Sequence, residues 1–171
     1  MKNTTLQTRT GFSLLEVLIA LAIVAALAGM AVPTLQGISD DAEETALEQQ
    51  LQRVRTAVEF YSFQHDQENP GMDPSTSSWS ATTFANQLVL ASDLDGYTAS
   101  AGTSGYPYGP YLTDGIPENP INGLPTVHLV GPGGSFSNPD DSTGWVYWAD
   151  TGEFRANCSG NSSGGDPLFE L

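Results

Sequence analysis

The apolar residues are most concentrated close to the start of the chain. From Phe12 to Val32 the sequence reads FSLLEVLIALAIVAALAGMAV, and Glu16 is the only charged residue in it. At 1.5 Å per residue, a helix of this length spans about 30 Å, the thickness of the hydrocarbon core of a bilayer. The pattern predicts a transmembrane helix over residues 12–33.

A different helical pattern follows Pro33. Apolar residues recur mostly at steps of three or four, which is typical of an amphipathic helix. They are Leu35, Ile38, Ala42, Ala46, Leu47, Leu51, Val54, Val58 and Tyr61. We expect this helix over residues 34–66, nearly continuous with the first, with a kink or restart near Pro33 and Gly37 and a cap at Ser39 or Asp40. Arg53 and Arg55 are expected to pair with Glu59 or Gln49 on the helix, or with an acidic neighbour in an assembly.

Residues 67–171 are rich in loops and carry short elements. The composition of 67–80 predicts a loop, and Ser80 is a candidate cap for a short helix over 81–91. Between Asp95 and Pro125 five prolines exclude long regular elements. Residues 126–130, 144–148 and 153–156 read as strands, the last two as a hairpin. The fold class is therefore α+β: a long N-terminal helix packed on a small loop-rich domain with a short antiparallel sheet.

Charge and composition exclude several classes of function. Five Lys and Arg stand against twenty Asp and Glu, a net charge of −15, so the phosphates of a nucleic acid would be repelled. The single cysteine, Cys158, has no partner for a disulfide, and with only His65 and His128 a zinc finger cannot be built. The glycine-rich segment at 131–135 lacks the lysine of a phosphate-binding loop. No enzymatic activity is predicted.

The leading segment has three possible interpretations. Lys2 and Arg9 precede the apolar run without any acidic residue, so the positive-inside rule places the N-terminus in the cytoplasm and the rest outside. A cleaved secretory signal is one interpretation, although its apolar stretch would be unusually long. A plain membrane anchor is another, but it gives no reason for Glu16, because an unpaired carboxylate in a membrane costs a few kcal/mol. The third gives Glu16 a function.

The signal-peptide interpretation carries its own functional prediction. It makes the protein a secreted soluble domain that binds carbohydrate or peptide, beginning near Ala31 or Val32. Such a domain would expose one or more of its tryptophans, Trp79, Trp145 or Trp148.

The third interpretation rests on a resemblance. The string TGFSLLEVLIALAIVAALAGMAVP resembles the N-terminal cleavage and methylation segment of type IV prepilins and type II secretion pseudopilins. The resemblance implies that a prepilin peptidase removes residues 1–11 by cutting between Gly11 and Phe12, that Phe12 is N-methylated, and that Glu16 acts in assembly. Other pilin or pseudopilin subunits and an inner-membrane assembly platform are the implied partners.

The chemistry of Glu16 supports such a role. Cleavage would leave an ammonium group at Phe12, and positions four apart share a face of a helix. The carboxylate could neutralise the terminal amine of a neighbouring copy inside the apolar core of a filament and so set the register between helices. The alternative is that Glu16 only favours the positive end of the helix dipole, which is worth about 0.3–1 kcal/mol.

The remaining chain resembles the major pseudopilin of type II secretion. The long helix, the segment GPYLTDGIPENPING and the ending GWVYWADTGEFRANC follow that arrangement. The resemblance implies a structural subunit that starts in the inner membrane, with its C-terminal domain in the periplasm, and then joins a filament. Pseudopilins of that kind bind calcium in a C-terminal loop, and Asp140, Asp141, Ser142 and Asp150 are the counterparts here. Oxygen ligands in a flexible loop suit Ca²⁺, but Asp140 and Asp141 could equally form a turn.

Overall fold

The computed structural model of the protein describes residues 12–171, with residues 29–40 described for the backbone alone. The leader predicted at 1–11, including Gly11, lies outside the described residues. The chain divides into two compact units, one ending at Asp40 and the other running from Asp41 to Leu171. Each unit is described by itself.

Helix α1 runs from Leu14 to Gln64, which confirms helical structure over both predicted segments. The expected restart at Ser39 or Asp40 does not occur, because α1 continues through both residues. Runs of Ala, Leu and Glu on both sides favour helix strongly enough to outweigh the two breakers, Pro33 and Gly37. Within the described part of the chain, no helix is long and apolar enough to cross a membrane. The membrane span predicted over 12–33 is not confirmed.

In the second unit, one face of α1 forms the centre of the core. Its buried side chains recur at alternating steps of four and three along the helix, as predicted: Leu47, Leu51, Val54, Val58 and Tyr61. The helix ends in a left-handed turn, where Asp66 and Gln67 have φ of 53° and 69°. The Gln67 amide donates to the Ser62 carbonyl at 2.9 Å, which satisfies one of the last helical acceptors.

A second helix and two small hairpins follow α1. Helix α2 spans Ala81–Val89, and the Ser80 side chain caps it by accepting from the Thr83 amide at 3.0 Å, as predicted. The segment 67–80 is not simply a loop. Strands β1 (Met72–Asp73) and β2 (Ser78–Trp79) pair there as an antiparallel hairpin, and β3 (Ala91–Ser92) and β4 (Thr98–Ala99) form another. These strands of two residues are too short for an alternating pattern to show in the sequence.

The main sheet has three strands in the order β5, β6 and β7. They span Val127–Val130, Trp145–Trp148 and Phe154–Ala156, close to the predicted ranges. The pair β6–β7 is the expected antiparallel hairpin, whereas β5 and β6 pair in parallel. Fourteen residues separate these two strands, long enough for the crossover that parallel pairing requires. The last short element is a 3₁₀ helix at Leu168–Glu170.

Both faces of this sheet are covered. On one face Trp145 and Tyr147 are fully buried, and their rings contact Phe154 and Phe84. On the other face Phe136 and Phe169 pack around Trp148. The cross-strand row His128, Val146 and Arg155 lies on that same second face. Neither face of the sheet is therefore fully exposed.

Candidate processing and assembly site

The predicted assembly residue lies in the first turn of α1. The Ser13 carbonyl accepts from the amides of Glu16 at 3.0 Å and Val17 at 3.2 Å, so Ser13 holds the cap position. Phe12 precedes the helix and does not share a helical face with Glu16, which corrects the expectation drawn from their spacing. Three residues separate Phe12 and Glu16 along the chain. The carboxylate of Glu16 therefore lies close in sequence both to the helix start and to the predicted cleavage bond.

The side chains that follow have no cover within their own unit. Every residue from Phe12 to Leu27 is exposed, and Phe12 itself is 83% exposed. The large apolar members are Phe12, Leu14, Leu15, Val17, Leu18, Ile19, Leu21, Ile23, Val24 and Leu27. A continuous apolar surface of this size is characteristic of a segment that packs on lipid or on other chains. Within the described residues no part of the chain covers this apolar segment, so lipid or other chains would have to cover it.

The predicted calcium residues fall into two places. Asp140 accepts from the Ser142 amide at 3.1 Å, the Ser142 hydroxyl at 2.7 Å and the Asn157 side-chain amide at 2.8 Å. These hydrogen bonds lower the pKa of Asp140 to about 2, those from the Ser142 and Asn157 side chains contributing most. Asp141 accepts from the amide and the hydroxyl of Ser159. Both carboxylates therefore join the loop before β6 to the segment that follows β7.

Asp150 belongs to the β6–β7 turn, where its carboxylate accepts weakly from the Gly133 amide at 3.5 Å. Across the described residues, no group of three or more His, Cys, Asp or Glu side chains is arranged to hold a metal ion. The three aspartates consequently do not form a shared acidic ligand set. Calcium binding stays a prediction, and any bound ion would need backbone or hydroxyl oxygens as further ligands.

A buried asparagine joins the proline-rich loop to the sheet. The Asn119 amide group donates to the Gly144 carbonyl at 2.7 Å, and its side-chain oxygen accepts from the Ile121 amide at 2.9 Å. The Trp145 indole donates to the Pro117 carbonyl at 2.8 Å. A Cβ at Gly144 would lie 1.9 Å from the Leu124 oxygen, so glycine is required at that close approach. The proline-rich loop is therefore an ordered part of the domain.

The two arginines of α1 make contacts that the sequence did not predict. Arg53 pairs with Asp114 at 3.0 Å, not with Glu59 or Gln49. Arg55 donates to the main-chain oxygens of Phe154 at 3.0 Å and Leu171 at 2.7 Å. Burial, followed by the repulsion of Arg155, lowers the pKa of Arg55. Arg55 ties α1 to the final strand, whereas Arg53 stays at the surface.

The remaining candidate groups are structural. The ring of His65 is buried between the Tyr61 carbonyl at 2.8 Å and the Ser92 hydroxyl at 3.0 Å. Cys158 is buried, and this desolvation raises the pKa of its thiol. Trp145 is fully buried, while Trp79 and Trp148 are half-buried. The tryptophans thus do not present the open binding face that a secreted binding domain would need.

Sequence reasoning overlooked one surface feature of α1. Phe60 and Phe63 lie on the helix opposite the core face, and both are exposed. A search for the buried stripe passes over them because Phe60 falls between two stripe positions, Val58 and Tyr61, and Phe63 follows the last one. The signal that could have found them is the spacing itself: two aromatic residues three apart among polar positions.

Comparison with known proteins agrees with the N-terminal motif. The family model for the prokaryotic N-terminal methylation motif matches residues 6–32, the segment that contains Gly11, Phe12 and Glu16. The chain is also similar to type II secretion system core protein G of Escherichia coli (strain K12), with 26% identity over 143 residues. This match covers 79% of the chain and 90% of that protein. No solved structure matches the chain.

The two matches differ in extent. The motif covers the processing segment alone, whereas the similarity to core protein G extends through most of the globular unit. The chain therefore carries the prokaryotic N-terminal methylation motif and is similar, over most of its length, to a core protein of the type II secretion system.

Proposed function

We propose that the protein is a structural subunit of a type II secretion pseudopilus. The observation that carries the proposal is the exposed apolar surface of residues 12–28 within the methylation motif, in a chain similar to core protein G over most of its length. In this role α1 would form the apolar interior of the filament and the acidic globular unit its outside. The protein would act by assembling and would carry no active site.

Maturation of the subunit follows from the motif. A prepilin peptidase would cut between Gly11 and Phe12 and methylate the new terminus at Phe12. Before assembly the protein would be held in the inner membrane by residues 12–33, with its N-terminus in the cytoplasm and its globular unit in the periplasm. An inner-membrane platform would then extract it into the filament.

Glu16 would direct the assembly of identical subunits. Inside an apolar filament an unpaired carboxylate is costly, so each subunit would place Glu16 against the terminal amine of a neighbouring copy. Because Glu16 lies in the first turn of α1, the positive end of the helix dipole also stabilises its carboxylate. The dipole effect alone, however, acts equally in the free subunit and cannot select a neighbour.

The experiment is to count filaments formed by Glu16→Ala and by the isosteric Glu16→Gln. Glu43→Ala is the matched control, because Glu43 is another exposed acidic residue on α1. We expect both Glu16 variants to be cleaved and folded like the wild type but to be absent from sheared filaments, while the control assembles. Normal incorporation of Glu16→Ala would contradict the assembly role.

Calcium binding by the loop at Asp140 and Asp141 is a separate proposal. It is supported by two adjacent exposed carboxylates beside the hydroxyls of Ser142 and Ser159. The test is the unfolding temperature of the full chain in detergent, with EDTA and with added calcium. A rise with calcium that Asp141→Asn abolishes and Asp150→Asn retains would place the ion in this loop. An unchanged temperature would refute binding.

A further inference from the structure

A cavity lies beside the end of α1 in the globular unit. It has a volume of about 350 Å³, and its walls come from the last turn of α1, the segment that leads into β1, helix α2 and the turn between β3 and β4. Cavities of a few hundred Å³ are the usual size of sites for small ligands. This cavity is therefore large enough to hold a small molecule or the end of a long side chain.

Negative charge surrounds the mouth of the cavity. Asp66, Glu68 and Asp95 form this rim and are exposed, and none of the described residues that line the cavity is a lysine or an arginine. A cleft lined by charges of one sign concentrates their field and raises the local concentration of ions of the opposite sign. The rim therefore attracts a cation.

The buried floor of the cavity carries three polar side chains, and two of them are fully paired. Both ring nitrogens of His65 hydrogen-bond to groups of the chain. The side-chain amide of Gln87 accepts from one main-chain amide and donates to two main-chain carbonyls. The Tyr61 hydroxyl, in contrast, has no hydrogen-bond partner among the described residues, although Tyr61 is only 3% exposed. A group on the floor is thus left for a ligand.

The Tyr61 hydroxyl lies next to the rim. The ring of Tyr61 stacks on His65 with the ring centroids 3.8 Å apart, so the hydroxyl is its free end. A Cβ at Gly96 would lie 2.8 Å from the hydroxyl oxygen, and Gly96 directly follows Asp95 of the rim. Burial is the main cause that raises the pKa of Tyr61, so the hydroxyl stays neutral. A ligand that offers an N–H here removes the cost of a buried hydroxyl without a partner.

The arrangement favours an ammonium group over a metal ion. Across the part of the chain that the structure describes, no three His, Cys, Asp or Glu side chains are placed to hold a metal ion. A primary ammonium carries three N–H donors on a compact charge, so it can pair with a hydroxyl and with carboxylates at the same time. Lys2 is the one lysine of the sequence and lies in the predicted leader. A processed copy of this chain therefore has no lysine to offer.

We propose that this cavity binds a primary ammonium group of another molecule, with the rim carboxylates supplying the opposite charge and the Tyr61 hydroxyl accepting an N–H. The group is the end of a lysine side chain of another protein or a free alkylamine, since both have the same chemistry. The proposal does not rest on filament formation, because the cavity lies within one globular unit.

The direct test is a titration of the unassembled full chain in detergent, followed by the amide NMR signals of Glu68 and Gly96. The probes are Nα-acetyllysine methylamide and butylamine, and Nα-acetylnorleucine methylamide is the uncharged control. We expect saturable shifts with the two amines and none with the control. Tighter binding of the lysine derivative identifies a protein lysine as the source, and tighter binding of butylamine a free amine. Equal binding of the control, stronger binding of calcium at equal ionic strength, or no shift at all would overturn the proposal.

Matched variants test the two parts of the site. Tyr61→Phe keeps the ring stack and removes only the hydroxyl, so it should raise the Kd about tenfold, the scale of a hydrogen bond to a charged group, without lowering the unfolding temperature. Glu68→Gln should raise the Kd about threefold, as expected for an exposed ion pair. Asp114→Asn, outside the cavity, should leave it unchanged. Wild-type affinity in Tyr61→Phe would overturn the proposal and leave the proposed function untouched.

Discussion

Asp140 shows how one side chain can close a loop. Its carboxylate accepts three hydrogen bonds, two from Ser142 and one from Asn157, and its own amide donates to the Asn157 side-chain oxygen at 3.0 Å. These donors stabilise the charged form, and the pKa of Asp140 falls from 3.8 to about 2. The loop before β6 should therefore be most stable when Asp140 is ionised.

The pH dependence follows from the direction of this shift. Because the pKa of Asp140 is lower in the folded chain than in the unfolded chain, its stabilising effect is complete above about pH 4 and is lost as the pH falls toward about 2. We predict that Asp140→Asn unfolds at a lower temperature than wild type at neutral pH. The difference between the two unfolding temperatures should become smaller as the pH falls from about 4 to about 2. The measurement is the unfolding temperature of both proteins against pH.

The control for this prediction is Asp114→Asn, an exposed aspartate whose partner is a surface arginine. Its unfolding temperature should stay close to that of the wild type throughout. A difference between Asp140→Asn and wild type that persisted below pH 2, or that widened there, would contradict the role of the ionised carboxylate.

Asn119 makes a second prediction at the scale of one residue. Its side chain is fully buried and pairs with the Gly144 carbonyl and the Ile121 amide. Asn119→Ala leaves the Ile121 amide without its side-chain acceptor, whereas the Gly144 carbonyl keeps its bond from the Asn157 amide at 3.0 Å. A buried unsatisfied group costs about 1–3 kcal/mol. We expect the free energy of unfolding to fall by that amount or more. Asn161→Ala, at an exposed asparagine, should leave it unchanged.

Single residues were predictable from the sequence when their chemistry was local. The order Gly11, Phe12 and Glu16 can be identified without a fold, because the motif that contains these residues is one continuous segment of sequence. Asn119 and Asn157 could not be identified in this way, since their side-chain amide groups donate to partners 14 to 39 residues away along the chain. Phe60 and Phe63 are missed for another reason: exposure depends on which helical face the rest of the chain covers.

At the scale of elements, α1 organises the globular unit. Leu47, Leu51 and Val54 are almost completely inaccessible to solvent. We predict that Leu51→Ala lowers the free energy of unfolding by about 2–5 kcal/mol, the usual cost of removing a large side chain from a packed core. Gln52→Ala, at the exposed position next to it, should change the stability by less than about 0.5 kcal/mol. Chemical denaturation of the full chain in detergent measures both.

Helices, longer strands and the hairpin of β6 and β7 were predictable, whereas the parallel pairing of β5 with β6 and the two short hairpins were not. The periodicity of α1, the Ser80 cap of α2 and the hairpin of β6 and β7 are signals within short stretches of sequence. The parallel pairing of β5 with β6 depends on how a crossover of fourteen residues returns across the sheet, which no local pattern encodes. The hairpins of two-residue strands depend likewise on contacts with α2 and the surrounding loops.

At the scale of the whole molecule, charge is the dominant property. The proposed cleavage after Gly11 would leave three arginines against twenty acidic residues, a net charge of −17 before the new amine is counted. Identical subunits of this charge repel each other, and salt screens the repulsion over a Debye length of about 10 Å at 0.1 M. We predict that filaments of the purified, processed protein form more readily as the salt concentration rises from about 0.01 M to about 0.3 M.

Sedimentation of assembled protein against salt concentration checks this prediction. Sodium chloride and magnesium chloride at equal ionic strength separate general screening from specific binding of a divalent ion. A yield that fell steadily with added sodium chloride would mean that attraction between opposite charges, and not apolar packing, dominates assembly.

The central claim is that the chain is processed between Gly11 and Phe12 and then assembles through its exposed apolar start. The most direct test is the intact mass and N-terminal sequence of the protein from its native membrane fraction, with and without an active prepilin peptidase. We predict a chain that begins at methylated Phe12 when the peptidase is active and retains residues 1–11 when it is not. A mature chain that begins near Ala31 or Val32, irrespective of the peptidase, would contradict the claim.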